Sequence, residues 1–390
     1  MNGALSRLRF PAEQSRGRRY PEPAHPYRNE FQRDRDRVIH SRAFRRLENK
    51  TQVFTAPLSD HFRNRLTHSI EVSQISRTIA AALGLNEDLT EALALAHDIG
   101  HPPFAHAGEE ELNRQMEVFG DRFDHNLHAL RIVEKFEHRY ARFHGLNLTF
   151  EVREGIVKHS RDFGCGEAVE LDEYLPGMRP PLEAQLIDLA DEIAYNTSDL
   201  DDGFSADLFN VGQVRQAVPQ FDRFYEEMEM QFPGAPEEMR LQEVVRRLVD
   251  FLVTGLLEGT KDAAESAGVR DHEDVRQHGS RIAMFHAETQ MVNRQIKQFL
   301  HWQVYNSDVL LTERRDSTRM VGEMFSFFLS HRDALPLNYQ EAMEKERPYR
   351  VICDYIAGMT DGFFARTYAR LLGEPVVSPV VSPVTAPERA

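Results

Sequence analysis

Four residues in this chain have the side-chain types and the sequence setting of metal ligands. His68 stands in RLTHS, His97 and Asp98 open the motif HDIGHPPFAHAGE, and Asp191 lies within DLADEIAY. Asp191 is nearly surrounded by apolar neighbours, and a buried carboxylate has to be paired or bind a metal. Two imidazoles and two carboxylates suit Mn²⁺, Fe²⁺, Co²⁺, Ni²⁺ or Zn²⁺ and leave positions open for water and a phosphate oxygen. The four residues together therefore predict a site for hydrolytic chemistry on phosphate.

The adjacent residues His97 and Asp98 can bind one metal ion only if the backbone changes direction between or directly after them. Neighbouring residues on a helix diverge by about 100°, so both can face inward only where the chain changes direction. Gly100 and Pro102 follow and are expected to end the helix there. The other two ligands would come from two further helices, as in metal sites of helical bundles. Taken singly, each residue could instead form a buried ion pair or cap a helix.

A second group of polar residues follows the His-Asp pair. His106 and Glu109 are three residues apart, so they share a face of a helix that opens near residue 105. The carboxylate can then orient the imidazole and favour its cation, as a general acid or a phosphate-binding group requires. His125, in FDHN, could supply a further imidazole at the start of the next helix. A surface ion pair and a structural histidine are the alternatives.

The elements that position these residues are predicted to be helical. Apolar residues recur at helical spacing along most of the chain, and only 52–54 and 302–311 resemble strands. The predicted helices lie at about 29–47, 65–83, 87–99, 106–119, 125–143, 150–160, 181–199, 209–230, 236–257, 281–300, 318–332, 337–344 and 348–371. We therefore expect an all-α fold, a helical bundle with a C-terminal helical extension.

The chain divides into four parts by composition. Residues 1–28 lack periodicity and are expected to form a flexible basic arm. Residues 29–205 form the core with the candidate ligands, and 206–372 form a C-terminal helical region packed on it. Residues 373–390 repeat Pro-Val-Val-Ser and are expected to be disordered.

Composition restricts the classes of function. The formal net charge of −15 argues against general nucleic-acid binding, although residues 1–50 hold 13 Lys/Arg against 6 Asp/Glu. No apolar stretch is long enough to span a bilayer, and the N-terminus does not look like a secretory signal. Two cysteines, Cys165 and Cys353, cannot build a disulfide framework. We expect a cytoplasmic protein that is not bound to a membrane.

The motifs in their order resemble the deoxyguanosinetriphosphate triphosphohydrolase-like family, the dNTP triphosphohydrolases of the HD-domain superfamily. The resemblance spans residues 33–203 and thins to NRQIKQFLHWQVYNSDVL at 293–310. The segments that carry it are RDRDRVIHSRAFRRLENKTQVF at 33–54, RNRLTHSIEVSQISRTIA at 63–80, HDIGHPPFAHAGEEELN at 97–113, FDHNLHALRIV at 123–133 and DLADEIAYNTSDLDDG at 188–203. It implies an HD-domain helical bundle for the core.

The resemblance also implies a reaction, the hydrolysis of a deoxynucleoside triphosphate to deoxynucleoside and inorganic triphosphate. Its implied residue roles are metal ligation by His68, His97, Asp98 and Asp191, catalysis by His106 and Glu109, phosphate binding by Arg65 and His125, and sugar binding by Gln52, Tyr195 and Asp199. Asp191, Tyr195 and Asp199 follow at intervals of four and so line one helix face. A tyrosine against the 2′ carbon would reject a ribonucleotide. For Tyr195 a core aromatic and for Gln52 a surface amide are the alternatives.

The family implies cofactors and partners as well. We expect a divalent ion, Mn²⁺ in the first place, and Mg²⁺ accompanying the triphosphate. We also expect a homo-oligomer and a nucleotide effector, for which the basic stretch 33–46 is one candidate. The chain lacks the long insertion of the dGTP-specific branch, so guanine specificity is not expected. The alternatives are an HD phosphomonoesterase or phosphodiesterase and a nucleotide-sensing or single-stranded DNA- or RNA-binding HD protein.

Overall fold

Helices and the turns between them make up the described parts of the chain, residues 3–54, 62–167 and 169–373, in the computed structural model. Within those ranges no strand forms beyond isolated bridges, such as the one that pairs Thr51 with Asn64. The prediction of an all-α fold is confirmed. The predicted disordered tail, residues 373–390, lies outside the described part of the chain except for its first residue.

Seventeen α-helices are found in the described ranges. They are α1 (Glu30–Ile39), α2 (Arg42–Arg46), α3 (Arg65–Leu83), α4 (Glu87–Ala96), α5 (Ala105–Glu117), α6 (His125–Arg131), α7 (Phe150–Val157), α8 (Leu182–Ser205), α9 (Val211–Ala217), α10 (Pro219–Gln231), α11 (Glu237–Ala267), α12 (His272–Gln277), α13 (Ala287–Leu300), α14 (Asp308–Ser330), α15 (Leu337–Ala342), α16 (Pro348–Ala357) and α17 (Asp361–Leu372). Turns of π-helix follow α6 and α13, at Ile132–Phe136 and His301–Tyr305. Short 3₁₀ turns lie at Ser6–Leu8, Ala12–Gln14, Leu47–Asn49, Val169–Leu171 and Arg332–Ala334.

The helices that carry the candidate ligands begin at side-chain caps. The Asn64 side chain accepts a hydrogen bond from the Thr67 backbone N–H, and the Asn64 backbone N–H donates to Thr67 Oγ1, which forms a capping box at the start of α3. Gly84 ends α3 in the left-handed conformation, with φ of 79°. The Asn86 side chain accepts from the Leu89 N–H and caps the start of α4. These caps fix the ends of two helices that face the site.

Two apolar cores hold the helices together. In the larger core α3 packs against α4 and α8, and α11 lies along α8. A smaller core joins α5 to α14, α16 and α17 through side chains such as Leu112, Phe325 and Phe364. Each large apolar side chain that is fully buried contributes about 1.5–3 kcal/mol. Helix α5, which carries His106 and Glu109, therefore depends on the C-terminal helices for its packing.

The N-terminal residues differ from the flexible arm that we expected. Leu5, Leu8 and Phe10 are buried in the larger core, and the Phe10 N–H donates to the Glu183 carboxylate at 2.9 Å. Arg18 forms ion pairs with Glu30 and the buried Asp34. The prediction of a flexible arm was wrong for residues 3–28, because short 3₁₀ turns and extended backbone leave no helical period in the sequence.

Other boundaries also need correction. The strand expected at 302–311 is a π turn followed by the start of α14. Residues 52–54 form bends, and the helix expected at 125–143 ends at Phe136. The helix expected at 348–371 breaks near Gly358 into α16 and α17. Short apolar runs fit a strand and a helix equally well, so long-range packing decides between them.

None of the helices in the described ranges combines the length and the hydropathy needed to cross a bilayer.

Candidate active site and metal centre

The four predicted metal ligands lie together where α3, α8 and the end of α4 meet. His97 is the residue at which α4 ends, and Asp98 follows in the turn. Donor atoms of His68, His97 and Asp98 lie within 4.8 Å of one another. Asp191 Oδ1 lies 2.8 Å from His68 Nε2 and 3.8 Å from His97 Nε2. The change in backbone direction after α4 thus brings both members of the His-Asp pair to one place.

A glycine makes this turn possible. A Cβ atom on Gly100 would lie 2.0 Å from the His125 carbonyl oxygen and 2.5 Å from the Ala129 nitrogen. Only glycine therefore lets the turn after Asp98 press against the first turn of α6. The same contact brings His125 beside the turn that carries the candidate ligand Asp98.

The ligand side chains are oriented for a cation. His97 Nδ1 lies 2.6 Å from the Ala94 carbonyl oxygen and donates to it, which leaves Nε2 deprotonated. That Nε2 is buried and has no hydrogen-bond partner among the described residues. A buried nitrogen lone pair beside two carboxylates is the donor arrangement that a divalent ion requires. The residues present therefore fit a metal ion.

The protonation states of His97 and Asp191 suit metal ligation. Burial lowers the pKa of His97, so its imidazole is neutral near pH 7. Burial would raise the pKa of Asp191, but the hydrogen bond and charge of His68 outweigh it and lower that pKa to about 2. A neutral imidazole and an ionised carboxylate are the forms that bind metals.

His159 joins this cluster and was missed by the reading of the sequence. Its Nδ1 lies 2.6 Å from Asp188 Oδ1, and its Nε2 lies 3.8 Å from Asp191 Oδ2. Metal-bound histidines commonly donate their second ring nitrogen to a carboxylate in this way. Burial opposes the cation, yet Asp188 raises the pKa of His159 to about 9, which shows how strongly negative this corner is. The signal in the sequence was a lone histidine directly after α7.

The predicted catalytic pair is less tightly joined than expected. Glu109 Oε2 lies 3.8 Å from His106 Nδ1, and the His106 side chain is 78% exposed. Glu109 Oε1 instead accepts from His125, at 2.7 Å from Nδ1 and 3.0 Å from the backbone nitrogen. Burial opposes ionisation of Glu109, but His106 and His125 hold its pKa far below the ordinary value. One carboxylate thus faces both histidines and is closer to His125.

His101 connects the two groups and was not predicted. Its ring stacks on His125 with centroids 3.9 Å apart, and its Nδ1 lies 2.9 Å from Asp98 Oδ1. Its position in HDIGHPPF, four residues after His97, was the signal available in the sequence.

Arg65 and Gln52 also line the cavity, Arg65 beside the candidate metal ligands. Arg65 is the first residue of α3, and its Nη1 donates to Asp98 Oδ2 at 2.9 Å. Gln52 Oε1 is buried and lacks a hydrogen-bond partner within the described ranges. An unpaired buried amide oxygen costs free energy unless a ligand satisfies it.

Helix α8 lines the cavity beyond the metal cluster. Tyr195 and Asp199 follow Asp191 by one and two turns, and Lys297 Nζ lies 5.6 Å from the centre of the Tyr195 ring. Asp199 is 2% exposed and accepts a hydrogen bond from Tyr305 Oη. Burial raises the pKa of Asp199 to about 7. Lys297 and Tyr305 were not predicted, although both lie in the 293–310 segment of the resemblance.

These residues surround one cavity of about 740 Å³, a usual size for a small-molecule site. Nine of the predicted site residues line it: Gln52, Arg65, His68, Asp98, His106, His125, Asp191, Tyr195 and Asp199. His97 and Glu109 lie behind this lining and reach it through their neighbours. The cavity therefore joins the end with the candidate metal ligands to an end lined by Tyr195 and Asp199.

The amino-acid sequence is similar to those of known proteins over nearly the whole length of the chain. A relative from Azoarcus sp. is 45% identical over 358 residues, 92% of this chain and 93% of the relative. Relatives from Geobacter sulfurreducens and Ralstonia nicotianae are each 43% identical, over 92% and 97% of both chains respectively. All three are named deoxyguanosinetriphosphate triphosphohydrolase-like protein. This chain belongs to that family.

Two family models match separate segments of this deoxyguanosinetriphosphate triphosphohydrolase-like chain. The HD domain matches residues 65–196, and the phosphohydrolase-associated domain matches residues 283–370. The first range holds the candidate metal ligands, so the protein is a metal-dependent HD phosphohydrolase. The second range supplies Lys297 and Tyr305, so both matched regions line the cavity.

Proposed function

We propose that this protein hydrolyses deoxynucleoside triphosphates to deoxynucleosides and inorganic triphosphate. The observation that carries the proposal is the run of Asp191, Tyr195 and Asp199 along one cavity-lining face of α8. This face leads from a cluster fit for a metal ion to a pocket fit for a sugar. The names of the relatives support nucleotide substrates for this family.

At the metal end, His68, His97, Asp98 and Asp191 would hold a divalent ion, Mn²⁺ in the first place and otherwise Fe²⁺, Co²⁺, Ni²⁺ or Zn²⁺. Such an ion lowers the pKa of water and offsets phosphate charge. Arg65 lines the same end and would donate to a phosphate oxygen, together with Mg²⁺ carried by the triphosphate.

His106 would deliver a proton to the leaving 5′ oxygen. It lies in the cavity wall with its ring exposed, so a substrate can contact it directly. Glu109, held anionic by its two histidines, would orient His106 and favour its cation once a phosphate is bound. His125, whose Nδ1 is tied to Glu109, would direct its other nitrogen toward the triphosphate.

The sugar end would select deoxyribose. Tyr195 would pack against the 2′ carbon and exclude a 2′-hydroxyl, because its ring lines the cavity from a helix that is packed in the core. Gln52 would use its unpaired amide oxygen for the 3′-hydroxyl. Asp199, paired with Tyr305, would line the remaining edge.

The test is incubation of the metal-loaded protein with each of the four dNTPs, with their mixture and with the matching NTPs. We expect deoxynucleoside and tripolyphosphate in equal amounts and little turnover of NTPs. Orthophosphate or a monophosphate product would instead indicate that the protein is a phosphomonoesterase or a phosphodiesterase. Tight nucleotide or single-strand binding without any product would select a sensing or binding protein.

The same assay addresses the effector and the oligomer. Activity that arises only in the mixture of dNTPs would show that one nucleotide activates hydrolysis of another. Light scattering with and without nucleotides would then measure whether assembly follows the activating nucleotide, as expected for a homo-oligomer with an effector site.

A further inference from the structure

A single carboxylate in the C-terminal region contacts two segments that border the cavity. Asp361 is the first residue of α17. Its Oδ2 accepts from the Thr51 backbone nitrogen at 2.8 Å and from Thr51 Oγ1 at 2.5 Å. Its Oδ1 accepts from the Phe104 backbone nitrogen at 3.1 Å. Thr51 and Phe104 both line the cavity, whereas Asp361 lies behind it.

The contact with Phe104 supports an unusual helix start. Phe104 precedes α5 with φ of 62° and provides no side-chain cap, and Ala105 follows with φ of 52°. Non-glycine residues in this region are strained, and they persist where surrounding contacts hold them. The Asp361 carboxylate supplies such a contact, and its negative charge is favourable beside a helix N-terminus. The Phe104 ring also packs edge-on against Phe364 of α17, with centroids 5.0 Å apart.

The contact with Thr51 fixes the other segment. Thr51 precedes Gln52, the residue with the unpaired amide oxygen. The neighbouring Lys50 is buried and donates from Nζ to the His101 carbonyl and, at 3.2 Å, to the Ala357 carbonyl at the end of α16. Lys50 also accepts on its own carbonyl from the Arg65 nitrogen at 3.2 Å. Residues 50–52 therefore connect the C-terminal helices with the metal-binding turn and the start of α3.

We propose that Asp361 is a positioning residue, through which the phosphohydrolase-associated region fixes the start of α5 and hence His106. His106 is the second residue of α5, so a change at Phe104 and Ala105 would redirect its ring. The position of the exposed His106 side chain is thus set by the backbone at the start of α5. The catalytic part of this inference rests on the proposed function, whereas the structural part does not.

The test compares Asp361→Asn and Asp361→Ala with the wild-type protein. Asn keeps one acceptor oxygen and Ala keeps none, so the effects should be graded. We expect faster amide hydrogen exchange in residues 101–110 and a kcat lower by about tenfold for Asn and more for Ala. The loss should be larger in kcat than in 1/KM, with metal content unchanged, because Asp361 touches neither the metal ligands nor the substrate.

Glu346→Gln is the matched control. Glu346 also links the C-terminal region to the core, through Arg131 and Lys135, but it does not contact residues 50–52 or the start of α5. This variant should leave kcat and the exchange of residues 101–110 at wild-type values.

Two results would overturn the proposal. One is unchanged exchange at 101–110 in Asp361→Ala. The other is an exchange increase spread equally over α3, α5 and α16, which would indicate general destabilisation. If the wild-type protein hydrolyses no dNTP, the proposed function fails, and the exchange measurement still decides the role of Asp361.

Discussion

The candidate metal-binding end of the cavity and the candidate catalytic pair are held in different ways. His68, His97 and Asp98 are 1%, 2% and 4% exposed and contact one another or buried backbone. The His106 side chain is 78% exposed and lies 3.8 Å from its carboxylate. Burial and mutual contacts thus preorganise the ligands, whereas the candidate acid is left open to the substrate. A preorganised ligand set binds its ion without further ordering, and an open acid can tighten onto its target once the substrate arrives.

The largest effect is expected from a change at the buried end. Asp98→Asn keeps the size of the side chain but removes the charge that pairs with Arg65 and that a bound metal ion would share. We expect bound metal to fall from about one ion per chain to a small fraction, and turnover to fall by about three orders of magnitude or more. Metal analysis of the purified variant and a dNTP assay measure both quantities.

The outcome at Asp98 also tests the ligand assignment. Thermal unfolding of metal-free wild-type and variant proteins controls for loss of the fold. A variant that keeps full metal content and near-normal turnover would show that Asp98 is only the partner of Arg65.

A smaller effect is expected from the open end. His106→Ala should leave metal content and thermal stability at wild-type values, because the ring is exposed and packs against little. Turnover should fall by about two orders of magnitude, the usual contribution of a general acid. Unchanged turnover would remove His106 from the mechanism.

The structure adds a sharper comparison for that experiment. Glu109 is closer to His125 than to His106, so His125→Ala tests which imidazole it serves. A larger loss of kcat in His125→Ala than in His106→Ala would exchange the two assigned roles.

The buried half of the site was the more predictable half. The apolar neighbours of Asp191 are a local signal of burial, and Gly100 and Pro102 after Asp98 are local signals of a turn. The four candidate ligands do lie together. The spacing of Tyr195 and Asp199 from Asp191 likewise follows from one long helix. Local patterns suffice where one helix or one turn sets the geometry.

The remaining contacts depend on residues distant in the sequence. Tyr305 reaches Asp199 from 106 positions away, and Asp361 reaches Thr51 from 310 positions away. The N-terminal segment packs through side chains without a period, so it resembled a flexible arm. Pairing of His125 with Glu109 depends on how α6 crosses α5, which no spacing in the sequence encodes.

The smallest effect concerns two carboxylates on one helix face. Asp191, beside His68, has a pKa of about 2, whereas burial raises the pKa of Asp199 to about 7. An unfolded aspartate titrates near 3.9. Between about pH 4 and 7 the folded chain therefore binds the Asp199 proton that the unfolded chain has released. The free energy of unfolding therefore falls as the pH rises through that window, because the folded chain has to release this proton from a buried carboxyl group.

Asp199→Asn removes the titration but keeps the size of the side chain and an acceptor for Tyr305 Oη. Relative to wild type, the variant should gain about 1–3 kcal/mol in free energy of unfolding between pH 5 and pH 8, after allowance for relaxation around a buried charge. Urea unfolding of the metal-free proteins at both pH values measures this difference, with Asp250→Asn, an exposed position on α11, as the control for loss of a charge. A difference that is equal at pH 5 and pH 8 would mean that Asp199 ionises as readily as an aspartate in water. The sugar end would then carry a full negative charge beside the substrate, and the contrast with the metal end would lie in the ligands alone.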